Sequence, residues 1–190
     1  MKPKNLLFAL RLKDEFAPLK PLIGSHNVDL IGRNEKAIIN SSGLYCFRGM
    51  ASGNYSIVVR ARYYCDRIVE VDTRSMDPKL PVVDVFMSPN LNYPFPKETT
   101  LARGTVSIKD DSDSIASGVR VRVRKSDKQF YTDERGRFIL YFNEKKEDEE
   151  EEAQVIKLVF SKSGFITKRG TCKLVKGGTR FVNLAIEPER

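Results

Sequence analysis

The sequence predicts an all-β protein made of two tandem β-sandwiches. Its apolar residues alternate with polar ones at a period of two, and no stretch of 11 or more residues shows the helical period of 3.6. The chain has 190 residues, 41% of them apolar, which is enough for two domains that each bury a core. The two halves also contain the same motifs in the same order. Together these observations favour strands over helices throughout the chain.

The expected strands follow from the alternation, taken in chain order. The alternating segments are residues 6–12, 45–47, 55–59, 119–123, 138–142 and 156–160. Each is short and is bounded by Gly, Asn, Asp or Pro, which is typical of half-buried strands joined by turns. Gly43 and Gly136 precede two of them, where a hairpin turn needs a positive φ angle that glycine adopts without strain. Large rings are expected to fill the core of the first half, namely Tyr45, Phe47, Tyr55 and Tyr64.

Comparison of the sequence with itself predicts the domain boundaries. Three motifs occur twice, at residues 42–47 and 135–140, 55–64 and 156–165, and 83–89 and 182–188. This places one β-sandwich at residues 4–90 and a second at residues 99–188. The segment between them, residues 91–98, is expected to be a proline-rich linker, because Pro94 and Pro96 cannot donate the hydrogen bonds of a central strand.

The second half carries an acidic insertion relative to the first. The offset between matching motifs rises from 93 to 101 residues, so eight residues are added within residues 144–152. Six consecutive acids lie there, namely Glu147, Asp148, Glu149, Glu150, Glu151 and Glu152. Because like charges repel one another, this acidic loop is expected to lie in solvent between two strands. A metal site or a contact for a basic partner is the less favoured interpretation.

These motifs resemble the carboxypeptidase regulatory-like domain, twice over nearly the whole chain. The typical run of that family is Asp-Gly-x-Phe-x-Phe, then Leu-Pro-x-Gly-x-Tyr, an alternating strand and Gly-Tyr. The first half is similar to it in residues 42–47, 50–55, 57–59 and 63–64. The second half keeps the positions of Gly136, Phe138, Leu140, Gly164 and Phe165, and the acidic insertion replaces the turn before the alternating strand.

The resemblance implies a fold and a type of function. It implies Greek-key, transthyretin-like β-sandwiches of about seven strands each. Members of the family generally act as folding, spacing or interaction modules without an active site. Relatives in the transthyretin-like superfamily hydrolyse a purine-derived ring with histidines and a C-terminal Tyr-Arg-Gly-Ser, and this chain has neither feature.

Few residues suit catalysis or metal binding. His26 is the only histidine, so a site with several histidine ligands is impossible, and we expect this side chain on a surface loop. Residues 110–113 read Asp-Asp-Ser-Asp but lack the glycine and glutamate of a calcium-binding loop, which favours a polar turn. No phosphate-binding loop or nucleophile motif is present. The sequence therefore predicts a non-enzyme without a cofactor or metal.

The cysteines and the first residues predict the compartment. Cys46, Cys65 and Cys172 are an odd number without CxxC spacing, which favours three reduced thiols, with a single Cys46–Cys65 bridge as the alternative. The first residues show no secretory signal, and no apolar run approaches the roughly 18–20 residues of a membrane span. The expected location is the cytoplasm, or a larger particle assembled from it.

One basic strand is the most distinctive candidate for binding. Arg120, Arg122 and Arg124 alternate with valines, so three guanidinium groups face one side of a strand. The net charge is +8, but residues 98–190 carry 19 basic and 16 acidic side chains, so the excess is patterned and not uniform. That pattern favours a protein partner over a phosphate backbone, although exposed arginines also serve to prevent strand edges from pairing.

The expected function is that of a non-catalytic structural or adaptor protein. It would bind protein partners within a larger assembly, such as a phage-tail-like particle. One alternative is a nucleic-acid-binding module that uses the basic strand. The other is a polysaccharide-binding accessory module, in which Tyr63, Tyr64 or Tyr93 would take the place of the absent tryptophan.

Overall fold

The computed structural model describes residues 5–109, 111–142 and 153–189, and the side chains of these except 111–113. These residues form β-strands and contain no helix, so the all-β prediction is confirmed, and no helix in this part of the chain could cross a membrane. The strands are β1 (Leu6–Asp14), β2 (His26–Leu30), β3 (Ile38–Ile39), β4 (Tyr45–Arg48), β5 (Asn54–Ala61), β6 (Arg67–Asp72), β7 (Val82–Met87), β8 (Thr100–Ile108), β9 (Asp111–Ile115), β10 (Arg120–Val123), β11 (Gln129–Tyr131), β12 (Arg137–Phe142), β13 (Ala153–Ser161), β14 (Lys168–Val175) and β15 (Thr179–Ile186).

The chain divides into two compact units, Met1–Pro94 (unit 1) and Phe95–Arg190 (unit 2). In unit 1, one sheet has the order β3-β4-β1-β7 and the other has the order β2-β5-β6. Strands β1 and β7 run parallel and the other pairs are antiparallel. Alternate residues of both sheets are buried in the core; these include Phe8, Leu10, Phe47, Tyr55, Ile57, Val59, Val85 and Met87.

Unit 2 has the same pairing of its first and last long strands. One sheet has the order β12-β8-β15, with β9 also paired to β8, and the other has the order β11-β10-β13-β14. Strands β8 and β15 run parallel, as β1 and β7 do. The core cluster of this unit includes Val119, Val121, Phe138, Leu158, Phe160, Leu174 and Ile186. The short strands β3 and β11 differ in their pairing. In unit 1, β3 pairs with β4, which follows it in the chain, whereas in unit 2, β11 pairs with β10, which precedes it.

Several predicted details are confirmed. Tyr45, Phe47, Tyr55 and Tyr64 are all buried. Gly43 and Gly136 have the predicted positive φ angles, 75° and 66°, and Gly43 lies in the β3–β4 hairpin. Three details are wrong: Gly136 connects β11 to β12, which belong to different sheets and form no hairpin, His26 begins strand β2 and does not lie in a loop, and residues 111–113, predicted as a turn, belong to β9.

The segment predicted as the linker, residues 91–98, contributes side chains to both units. Tyr93 is only 7% exposed, and its ring lies against that of Tyr64 with a centroid separation of 5.5 Å. On the other side of the boundary, Phe95 contacts the ring of Tyr141 in unit 2 at 5.6 Å. The buried positions of Tyr64 and Tyr93 also remove them as exposed platforms for a sugar ring.

A buried carboxylate organises one end of the core of unit 1. Asp14, at the end of β1, is 1% exposed and accepts hydrogen bonds from the hydroxyls of Tyr64 (2.9 Å) and Tyr93 (2.6 Å). Its other oxygen accepts backbone N–H bonds from Phe16 and Ala17. Burial raises the pKa of Tyr64 to about 12, and burial together with Asp14 raises the pKa of Tyr93 further. Both phenols are therefore held neutral, as donors to the carboxylate.

Candidate functional site: an arginine face on unit 2

The basic strand predicted from the sequence is β10 and the residue that follows it. Val121 and Val123 are buried, with exposures of 0% and 7%, and Arg120, Arg122 and Arg124 are exposed on the other side. The alternation arises because successive side chains of a strand point to opposite faces. The core therefore holds the valines and orients the three arginines to solvent.

Neighbouring strands extend this basic surface. In β13, Val159 pairs with Arg122, and in β14, Arg169 pairs with Val159, so the three residues form one row across the sheet. In the next row, the N–H of Arg124 donates to the carbonyl of Lys157 at 2.8 Å. We call the exposed surface formed by Arg120, Arg122, Arg124, Lys157 and Arg169 the arginine face.

The arginine face contains a shallow concavity of about 320 Å³. Four guanidinium-bearing residues surround it, and the rest of its lining is small; the lining residues are Arg120, Arg122, Arg124, Val159, Ser161, Thr167 and Arg169. The hydroxyls of Ser161 and Thr167 add two neutral donors, and the half-buried Val159 supplies an apolar floor. The concavity can therefore offer many N–H and O–H donors to a single negatively charged group.

Within the part of the chain that the structure describes, neighbouring side chains do not balance the positive charge of this face. Among the described residues, no carboxylate lies within salt-bridge distance of any of its five cations. By contrast, Arg60 in unit 1 lies 3.6 Å from both Asp29 and Asp66. An unpaired cluster of exposed guanidinium groups is a surface suited to an acidic partner.

The other candidates from the sequence do not form a site. His26 is exposed and contacts the ring of Tyr45, and no cluster of three metal-ligating side chains occurs in the described ranges. Cys46, Cys65 and Cys172 are free thiols, and burial raises the pKa of Cys65 to about 11, so this thiol stays protonated at neutral pH. The predicted acidic loop, Glu147 to Glu152, lies outside the described residues, as does Asp110.

Arg169 is the one arginine of this face that the pattern of the basic strand did not identify. The sequence shows it as one of several basic residues in the second half, 45 positions or more from the basic strand. Its place beside Val159 depends on β13 lying between β10 and β14. The only local signal is its alternation with the buried Cys172 and Leu174 in β14, which indicates an outward side chain.

Comparisons with known proteins give a limited result. No family model and no curated protein matches the chain. Solved structures that resemble it include the minor pilin GBS52 of Streptococcus agalactiae, with 13% identity, a TM-score of 0.35 and coverage of 96% of this chain and 97% of that one. A mutant of the shaft pilin SpaA of Lactobacillus rhamnosus GG gives 9% identity and a TM-score of 0.35, covering 96% and 98% of the two chains.

A third structure, the Bacillus anthracis TIE protein, gives 11% identity and a TM-score of 0.33, and this chain spans only 33% of its length while 95% of this chain is covered. Similarity at these TM-scores assigns no function to the chain. The resemblance to the carboxypeptidase regulatory-like family stays a prediction, since no family model supports it.

One expectation is corrected by these comparisons. The predicted cytoplasmic location is wrong, because the structures that resemble this chain include a minor pilin, a shaft pilin and an ancillary pilin. It rested on free cysteines and the composition of the first residues, and neither property defines a compartment. We assign no other location in its place.

Proposed function

We propose that the protein is a non-catalytic structural or adaptor protein that binds an acidic protein partner through the arginine face of unit 2. The proposal rests on one observation. Exposed cations lie at neighbouring register positions on β10, β13 and β14, and none of them has a carboxylate partner among the described residues. Such a surface attracts an acidic partner over long range and orients it at short range.

The arginine face is held rigidly by the sheet beneath it. Strand β10 is hydrogen-bonded on both sides, to β11 and to β13, and the residues that alternate with its arginines are buried. The backbone under the guanidinium groups therefore does not need to be ordered on binding. Binding then costs mainly the rotamer entropy of the arginine side chains. Because the backbone is already ordered, less of the interaction free energy is lost and the affinity is higher.

The composition of the surface favours a protein over a nucleic acid. Exposed apolar side chains lie on the same sheet, since Tyr131 in β11 is opposite Arg120 and is 55% exposed, and Val155 in β13 is 62% exposed. Protein interfaces mix arginine with aromatic and aliphatic groups in this way. Nothing in the described residues favours a phage-tail-like particle over another assembly as the place where the partner is found.

The proposal is tested by fluorescence anisotropy of the full chain with two labelled ligands of equal net charge, a peptide rich in Asp and Glu and a single-stranded oligonucleotide. We expect the peptide to bind more tightly at low salt, and each added charge reversal in Arg120→Glu, Arg122→Glu and Arg124→Glu to weaken it by about threefold to tenfold.

A matched control separates this face from net charge alone. The variant Lys36→Glu, Arg48→Glu, Arg62→Glu changes the same number of exposed cations in unit 1 and should leave peptide binding within about twofold. Equal losses in both triple variants would contradict a localised face. Tighter binding of the oligonucleotide would replace the proposal with the nucleic-acid alternative, and no binding of either ligand would refute both.

A further inference from the structure

We infer that the concavity of the arginine face holds a phosphorylated side chain of the acidic partner. This inference rests on the proposed function and adds to it the chemical group that the site selects. It starts from the four arginines, Arg120, Arg122, Arg124 and Arg169, that line a single concavity of about 320 Å³.

The register of the strands explains the convergence. Residues two apart in a strand are separated by about 6.7 Å, and neighbouring strands lie about 4.8 Å apart, so Arg122 and Arg169 start about 10 Å apart on either side of Val159. Two arginine side chains together span that distance. Their guanidinium groups can therefore reach one ligand above the small, half-buried Val159.

The charge of the cluster favours a dianion over a carboxylate. Four exposed guanidinium groups around one concavity repel one another, and among the described residues no carboxylate offsets them. A partner carboxylate brings one negative charge and two acceptor oxygens. A phosphorylated serine or threonine brings a charge of about −1.5 to −2 and three strong acceptor oxygens, so it relieves more of the repulsion with one group.

The identity of the donors favours an oxyanion over a neutral group. All four cations that line the concavity are arginines, whose planar, forked donors bind carboxylates and phosphates through pairs of hydrogen bonds, whereas lysine offers only a point charge. Ser161 and Thr167 supply hydroxyl donors on the remaining side. A nucleic-acid backbone would need a continuous basic track, and this arrangement is instead local to three strands.

The test uses three labelled peptides that are identical except for one central residue, which is phosphoserine, glutamate or serine. The full chain is titrated with each at fixed ionic strength and neutral pH, with anisotropy as the readout. We expect the phosphoserine peptide to bind at least about tenfold more tightly than the glutamate peptide, because charge-assisted bonds to phosphate are stronger and more numerous.

Two variants separate geometry from charge. Arg122→Lys keeps the charge but removes the forked donor, so it should weaken binding of the phosphoserine peptide more than that of the glutamate peptide and reduce the preference for phosphoserine to about twofold. Arg169→Gln, on β14, should reduce the same preference although Arg120, Arg122 and Arg124 are intact. The control Arg60→Lys, on the corresponding face of unit 1, should leave all three titrations unchanged.

The outcomes distinguish this inference from the proposed function. Equal binding of the phosphoserine and glutamate peptides would overturn the inference and leave the acidic partner in place. Binding of none of the peptides would overturn both. Inorganic phosphate serves as a competitor. If it displaces the phosphoserine peptide at a concentration near the dissociation constant of that peptide, the concavity binds a free oxyanion, and the inference of a docked side chain is overturned.

Discussion

The corresponding outer faces of the two units share three strands in the same order and carry different charges. In unit 1, the row across β2, β5 and β6 is Asp29, Val58 and Ile68. In unit 2, the row across β10, β13 and β14 is Arg122, Val159 and Arg169. The central valine occupies the same place in both, but an acid and an isoleucine in one unit are arginines in the other. Residues that face solvent are free to differ, because they do not contribute to the core that defines the fold.

The interiors of the units differ at one end and in the middle of their parallel strand pair. Asp14 lies opposite Met87 in unit 1, and the corresponding pair in unit 2 is Ile108 and Ile186. The hydrogen-bonded Asp14 of unit 1 therefore has an apolar counterpart. Four residues earlier in each first strand, unit 1 has the buried Leu10 where unit 2 has Gly104. The two units thus pack the same pair of parallel strands with different side chains.

The largest expected effect tests the close packing at Gly104. A Cβ at this position would lie 1.7 Å from the carbonyl oxygen of Val182 and 2.9 Å from the ring of Phe138. Because the first of these is a backbone atom in the parallel partner strand, Gly104→Ala should destabilise unit 2 by about 3 kcal/mol or more. Hydrogen exchange should then show loss of amide protection in β8 and β15, and unchanged protection in β1 and β7.

The matched control is Gly53→Ala in unit 1. No atom lies within 4 Å of a Cβ at that position, and its φ angle is not positive. We expect a change within about 0.5 kcal/mol. Normal protection of β8 and β15 in Gly104→Ala would show that the strand pair does not need a glycine there.

A smaller effect is expected in the pH dependence of stability, which should differ between the polar end of unit 1 at Asp14 and its apolar counterpart in unit 2. Burial raises the pKa of Tyr64 from 10 to about 12 and raises the pKa of Tyr93 as well. The folded state therefore holds these protons more tightly than the unfolded state. The contribution of Tyr64 to stability is fully present below pH 10 and is lost as the pH rises from 10 through 12, and the contribution of Tyr93 also begins to fall above pH 10. Urea unfolding followed by methyl NMR signals should show a larger alkaline loss in unit 1 than in unit 2, where burial raises the pKa of Cys172.

Tyr93→Phe sharpens the test. The variant removes one donor to Asp14, so unit 1 should lose about 1–3 kcal/mol at pH 7, and its alkaline loss of stability should become shallower. Tyr131→Phe, which changes an exposed tyrosine of unit 2, serves as the control and should alter neither quantity. An unchanged alkaline slope in Tyr93→Phe would mean that this phenol does not couple to folding.

The smallest effect is expected from reversing the charge of one residue in each outer row. Arg122→Glu places a carboxylate among the other arginines and should stabilise unit 2 by a few tenths of a kcal/mol, because it replaces repulsion with attraction. Asp29→Lys removes one of the two carboxylate partners of Arg60 and should destabilise unit 1 by a similar amount. Both changes in the urea midpoint should vanish in 1 M salt, where the Debye length is about 3 Å. Effects of the same sign in the two units would contradict the difference in charge balance.

Much of the fold could be predicted because strand alternation is a local property. The period of two placed Val121 inside and Arg122 outside without knowledge of any neighbour, and it identified the buried rings of Phe47 and Tyr55. A local pattern does not show which distant residues meet. Tyr93 lies among prolines in the segment predicted as a linker, and its hydroxyl donates to Asp14, which is 79 residues away in the chain.

The sequence by itself determined that this is an all-β chain and that three arginines of one strand share a side, since both follow from side-chain alternation along an extended backbone. Only the tertiary structure decided that β13 lies between β10 and β14, which brings Arg169 to the same concavity. The order of strands in a sheet depends on how distant apolar faces pack together, and that information is spread over the whole core. The candidate site therefore combines a local pattern with a neighbour that only folding could supply.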